Sequence, residues 1–204
     1  GCGSIGLDLG QQRLAVSGAL GSYFAGLLER DHIYTDLPEQ VDAPAPGGLA
    51  PLPPLERMAW ALNHPRGPRA LVIAAEAGMG KSTLAAQLLR CLLHQRDFDL
   101  LIGDSAKQSR VDLASGTTQA LQPGFWDVDS CLAHLRAQLG LPPTTSTGTG
   151  DIADRLAGRR VLLVIDNLEA VTGRDELLHR LGRLLTRDVR AVLTTRQVEA
   201  LPAF

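Results

Sequence analysis

Nine consecutive residues, Ala75-Glu76-Ala77-Gly78-Met79-Gly80-Lys81-Ser82-Thr83, hold most of the chemistry this chain offers. Gly78 and Gly80 open backbone conformations closed to residues with side chains, so the N–H groups from Ala77 through Met79 and Gly80 can turn inward as a nest for anionic oxygens. A helix starting at Lys81 would add its unpaired N–H groups and positive dipole end at the same point. Lys81 then supplies a compact charge toward terminal phosphates, and the Ser82 hydroxyl is a hard oxygen ligand for Mg²⁺. Thr83 is a second hydroxyl, placed to pack the helix. The run fits the phosphate-loop pattern G-x-x-x-x-G-K-[ST] everywhere except its first glycine, where Ala75 stands. The competing reading is a glycine-rich turn with a chance lysine. Composition weighs against it: of 20 basic residues only Lys81 and Lys107 are lysines, and one of the two falls where the chemistry needs it.

Two further sites share that logic. The apolar run Val161-Leu162-Leu163-Val164-Ile165 ends in Asp166-Asn167-Leu168-Glu169. An acid at the carboxyl end of a buried strand, in one sheet with a phosphate loop, is the Walker B position and would hold Mg²⁺, largely through water. Asn167 stands where many ATPases carry an acid that activates the attacking water. An amide orients water but takes no proton from it near neutral pH, so slow hydrolysis is expected. Glu169 could serve instead only if the chain bends back. The run Ala191-Val192-Leu193-Thr194 leads into Thr195-Arg196, which puts a guanidinium within reach of a γ-phosphate, where its planar fork binds two oxygens at once.

The elements that must position these residues follow from the hydrophobic pattern. Ala70 to Ala74, Phe98 to Ile102, Val161 to Ile165 and Ala191 to Thr194 read as short strands buried on both faces. Between them lie helical stripes: Leu55, Met58, Ala59 and Leu62; Leu84, Ala85, Leu88, Leu89 and Leu92 within Ser82 to Gln95; Val128, Cys131, Leu132, Leu135 and Leu139, capped by Asp127 or Asp129. A short helix near Ile152 and Leu156 precedes the third strand, and Asp175 to Arg187 carries Leu177, Leu178, Leu181, Leu184 and Leu185. Strand and helix alternate, which calls for an α/β domain with a parallel sheet covered by helices on both faces. Residues 1–53 read differently. Turns and a weak strand pair are expected in 1–22, a helix over Ser17 to His32, and a proline-rich linker from Asp42 to Pro54.

Composition excludes several classes. At 204 residues with 45% apolar and 21% charged side chains, the chain is long enough to bury a full core. A net charge of −2 gives no general attraction to nucleic acid or anionic membrane. No apolar run approaches a membrane span and no signal peptide opens the chain. Three widely spaced cysteines, Cys2, Cys91 and Cys131, form neither a disulfide framework nor a zinc ribbon and point to the cytosol. Cys91 and His94 share a helical face but lack a second ligand pair, so packing is their role. A first residue that is Gly1, not Met, suggests a piece of something longer.

Taken together, AGMGKSTLA, LLVIDNLE and VLTTR resemble the STAND class of signalling NTPases, in its NB-ARC or AP-ATPase branch. The stretch from Phe98-Asp99 to Gln138-Leu139-Gly140-Leu141 is similar to the segment between the nucleotide motifs of that family. The resemblance covers residues 54–204, close to three quarters of the chain. It implies a P-loop NTPase core, a three-layer α/β/α sandwich of AAA+-like kind with a mainly parallel sheet, preceded by an effector-linker-like arm over 1–53. It further implies an ATP/ADP switch in which Gly78, Gly80, Lys81, Ser82 and Thr83 bind phosphates, Asp166 binds Mg²⁺ and Arg196 senses the γ-phosphate. Self-association and an attached effector and sensor would follow in the full-length protein; the near-neutral net charge, separately, argues against direct nucleic-acid contact. The glycine-arginine-glutamate motif of that family is not evident in Gly47 to Met58, and the chain stops at Phe204, before the small helical and winged-helix domains. A small-molecule kinase and an AAA+-like regulatory or DNA-handling ATPase remain alternatives, the first without an arginine-bearing lid loop. A bare structural core is the third.

Overall fold

The apolar runs become short strands, the central ones buried as a sheet covered on both faces requires. A computed structural model of the chain describes residues 5–8, 13–16, 54–95, 98–111, 118–120, 123–144 and 148–196. The strands are Ile5–Asp8 (β1), Arg13–Val16 (β2), Ala70–Ala74 (β3), Leu100–Ser105 (β4), Ser109–Val111 (β5), Thr118–Ala120 (β6), Val161–Asp166 (β7) and Val189–Thr195 (β8). The helices are Pro54–Asn63 (α1), Lys81–Gln95 (α2), Val128–Gln138 (α3), Gly150–Leu156 (α4) and Arg174–Leu184 (α5). The main sheet runs β1-β2-β4-β7-β8-β3, and every neighbouring pair but β1 with β2 is parallel. β8 thus lies between the strand that feeds the glycine-rich turn and the strand that ends in Asp166.

Alternating side chains divide the core into two layers, as the pleat of a sheet covered on both faces requires. Leu101, Leu162, Val164 and Val192 face α1 and α2, packing on Met58, Leu62, Leu88 and Leu92. Leu100, Ile102, Leu163, Ile165 and Leu193 face the other side, against Leu132 and Leu135 of α3, Ile152 of α4 and Leu178 and Leu181 of α5. This is the expected three-layer α/β/α sandwich. Arg190, buried in β8, donates to the carbonyls of Gly67 and Pro68 and fixes the loop that leads into β3.

Some expectations need correction. β3 is not buried on both faces: only Ile73 is fully buried, because β3 pairs with β8 on one side and ends the described sheet on the other. The second strand starts two residues later than Phe98, and α5 ends at Leu184 rather than Arg187. The small hairpin β5–β6 was not foreseen. The weak strand pair within 1–22 is present as β1 and β2, and β2 extends the sheet beside β4. The helix expected over Ser17 to His32 and the proline-rich linker from Asp42 to Pro54 lie outside the described residues, apart from Pro54 itself, which opens α1.

Two local devices hold the carboxyl edge of the sheet. Gly103 in β4 sits at φ 143°, and a Cβ there would overlap the carbonyl oxygen of Val164 in β7. Beyond Leu101 the described part of β2 no longer pairs with β4, and the Gln138 amide takes both the N–H and the C=O of Gly103, at 2.9 and 3.0 Å. Asp127 starts α3 with a capping box: its carboxylate accepts from the Ser130 N–H at 2.8 Å, and the Ser130 hydroxyl accepts from the Asp127 N–H. Asp127→Ala is expected to cost about 1 kcal/mol of stability. The Ser130 hydroxyl, and then its N–H, hold the Asp127 carboxyl below its usual range. Its stabilisation is therefore complete above the unfolded value of about 3.9 and is lost as pH falls through the lower folded value. Urea melts of both proteins at successive pH values should differ at neutral pH and converge in acid; a constant gap would show that the carboxylate is not the cap.

Candidate functional site

Because the strands are parallel, their carboxyl ends share one edge, and that edge collects polar side chains from three of them, β4, β7 and β8. Register sets Ser105 of β4 beside Asp166 of β7, and Ala74 of β3 beside Thr195 of β8. The ladder continues past the strands: the Ala106 N–H donates to the Asp166 carbonyl, and the Ala75 N–H to the Thr195 carbonyl. The glycine-rich turn is thereby anchored against the end of β8.

In that turn Gly78 and Gly80 adopt φ 83° and 78°, the conformations that were expected of them. Ala77, Gly78 and Met79 are exposed, Met79 most of all, while Lys81 opens α2 and is almost buried. The first turn of α2 contains no acidic residue to compete for its positive end. The Lys81 ammonium donates to the carbonyls of Ala75 and Glu76, at 2.7 and 3.0 Å, which holds it over the turn. Thr83 is half-buried on α2, in keeping with a packing role.

Asp166 is fully buried and accepts hydroxyl hydrogen bonds from three elements. Ser82 of α2 donates to Oδ1 at 2.9 Å, Thr194 of β8 to the same oxygen at 2.6 Å, and Ser105 of β4 to Oδ2 at 2.8 Å. Ser82 and Asp166, the expected metal pair, are therefore in direct contact. Their all-oxygen chemistry suits Mg²⁺, which takes few protein ligands and keeps its waters. Among the described residues no cluster of three or more His, Cys, Asp or Glu side chains offers a closed metal cage.

Sequence reasoning missed Ser105. The signal was a hydroxyl at the end of the strand next to the one that carries Asp166. It also missed Asp104, whose carboxylate accepts from the Ser105 N–H at 2.7 Å and lies 2.8 Å from Nε2 of His134. Gly124 makes room for it, since a Cβ there would strike the Asp104 carboxylate.

Asn167 takes the left-handed conformation, φ 66° and ψ 47°, which asparagine tolerates better than most residues. Its N–H donates to the Thr194 hydroxyl at 2.8 Å. The bend carries the chain into a 3₁₀ turn, Leu168–Ala170, and brings Glu169 back toward the end of β8. There the Arg196 Nε lies 2.8 Å from Glu169 Oε1, with the Arg196 side chain 54% exposed and that of Glu169 12%. The chain does bend at Asn167, and the bend turns Glu169 to Arg196. Both Glu169 oxygens are buried, beside Arg196.

A profile of the family described as "AAA domain" matches residues 63–197. Among solved structures, the Aeropyrum pernix Orc1 protein in complex with DNA is similar at 20% identity and a TM-score of 0.49, over 71% of this chain and 38% of that one. The structure of C. elegans PCH-2 is similar at 14% identity and a TM-score of 0.41, over 72% and 37%. The chain thus spans little more than a third of either protein. No curated protein matches it.

Proposed function

The chain belongs to the AAA domain family, and from that membership we propose that it is a Mg-nucleotide switch that distinguishes ATP from ADP. The observation that carries the reading is the convergence on Asp166: one buried carboxylate ties Ser82 at the head of α2 to Thr194, two residues before Arg196. A group that touches the metal site is thereby coupled to the strand whose end would meet a γ-phosphate. The N–H groups from Ala77 to Gly80, Lys81 and the start of α2, with Ser82 and Thr83, would hold the phosphates of ATP or ADP. Ser82 and Asp166 would hold Mg²⁺, and Arg196 would read the third phosphate. Magnesium supplies charge neutralisation between the terminal phosphates when bound. With Asn167 in the water-orienting position and Glu169 buried, hydrolysis is slow compared with the roughly 1–100 s⁻¹ of kinases. Slow turnover suits a timer more than a motor.

The STAND-type role, in which nucleotide exchange controls self-association and an attached effector in the full-length protein, rests on the resemblance of the three motifs. The family match supports an AAA+-like regulatory or DNA-handling ATPase equally well, since both share this site. The expectation of no direct nucleic-acid contact rests on net charge alone. Among the described residues no helix is long and apolar enough to cross a membrane, and the cytosolic assignment rests on cysteine usage.

Paired calorimetric titrations with ATP and ADP test the switch. Arg196→Ala is expected to weaken ATP binding about tenfold, as loss of one charge-assisted contact does, and ADP binding by less than about twofold. Equal losses, or none, would remove Arg196 as the sensor. DNA-stimulated turnover would favour the AAA+-like alternative.

A further inference from the structure

We infer that Glu169 restrains Arg196, so that ATP must draw the guanidinium off a buried carboxylate before its γ-phosphate is sensed. The inference rests on the nucleotide-switch reading and adds to it the group that sets the ATP-to-ADP preference. The chain is bent for this contact. Asn167 accepts a left-handed conformation, the 3₁₀ turn Leu168–Ala170 follows, and Glu169 is carried inward with only 12% of its side chain exposed. Neither of its oxygens has a hydrogen-bond partner among the described residues, and both are shielded from solvent. The Arg196 Nε at 2.8 Å from Oε1 is its one ion-pair partner among those residues. A buried carboxylate of that kind is costly to leave alone.

Arg196 is placed to move. It follows the last residue of β8, its side chain is more than half exposed, and Glu169 is its one ion-pair partner among the described residues. Two acceptors therefore compete for one guanidinium: a carboxylate belonging to the fold and a phosphate belonging to ATP. ADP lacks the third phosphate and leaves the ion pair undisturbed. The restraint weakens apparent ATP affinity by the fraction of chains in which Arg196 is released, and leaves ADP affinity alone.

Glu169→Gln removes the charge with almost no change in shape. ATP should then bind about three- to tenfold tighter, with ADP within about twofold of wild type. In an Arg196→Ala background the same substitution should shift neither nucleotide, because no guanidinium is left to release. Isothermal titration of the chain and its three variants with Mg-ATP and Mg-ADP gives the ratio, and a thermal melt of each confirms folding. If Glu169→Gln does not fold, Glu169→Asp withdraws the carboxylate by one methylene and must move the ratio in the same direction. An unchanged ratio, a lower one, or a shift that survives in the Arg196→Ala background overturns the inference. If wild type binds both nucleotides while the ratio fails to move, this inference falls alone. If it binds neither, the switch reading falls with it.

Discussion

Replacing Lys81 by alanine is expected to weaken binding of Mg-ATP and Mg-ADP alike, by at least tenfold and up to about a hundredfold. The range follows from the roughly 1.5–3 kcal/mol that a hydrogen bond to a charged group contributes. The geometry explains why both nucleotides suffer. The ammonium is almost buried and is held over the turn by the carbonyls of Ala75 and Glu76, at the head of a helix with no acid in its first turn. A charge so placed acts on the phosphates that ATP and ADP share, unlike Arg196, which follows the carboxyl end of β8 and is proposed to meet the third phosphate alone. Folding should be little affected. Glu76 is exposed and Ala75 is partly so, which lets water replace the ammonium on their carbonyls. Arginine is no substitute, because its planar fork does not fit where one compact ammonium donates to two carbonyls. Titration of a fluorescent ADP analogue against both proteins, with thermal melts alongside, gives the result. Unchanged affinity in a folded Lys81→Ala chain would remove the phosphate-loop reading and every assignment that depends on it.

How legible the sheet and site were in the sequence depended on the range of the signal. The strands at 161–166 and 189–195 were readable from their apolar stretches, Val161 to Ile165 and Ala191 to Leu193, because a strand covered on both faces is apolar where both layers meet it. The turn was readable because glycine is almost alone in adopting the φ that Gly78 and Gly80 take. β3 misled for a related reason: Ala70 to Ala74 is as apolar as a central strand, and pattern does not say what lies beside it. Asp166 was visible by position, but its three hydroxyl partners are 84, 61 and 28 residues away in sequence. No local pattern encodes such contacts; only the strand order brings them together. Glu169 was visible as an acid and illegible as a partner of Arg196, because the contact depends on a left-handed residue that an Asn permits without requiring.

The same convergence makes Asp166 the most consequential carboxylate in the chain, and two substitutions separate its structural part from its chemical one. Asp166→Ala removes an acceptor that hydroxyls from α2, β4 and β8 all use. Thr194 and Ser105 are themselves buried, so their loss of partner costs about 1–3 kcal/mol each, and the alanine chain should melt well below wild type. Asp166→Asn is different. One amide oxygen can stay toward Ser82 and Thr194, while the NH₂ turns to Ser105, whose hydroxyl has a second lone pair besides the one that accepts from the Lys107 N–H. The fold should survive, with a smaller loss of melting temperature than in Asp166→Ala, because Ser105 alone loses its acceptor while gaining a donor. A neutral amide, however, offers Mg²⁺ no charge. The gain in ADP affinity that Mg²⁺ brings in wild type, measured as the difference between titrations with Mg²⁺ and with a chelator, should shrink about 10- to 100-fold in Asp166→Asn. An asparagine chain that folds and keeps the wild-type Mg²⁺ dependence would make Asp166 a purely structural acceptor, and the metal assignment would be wrong.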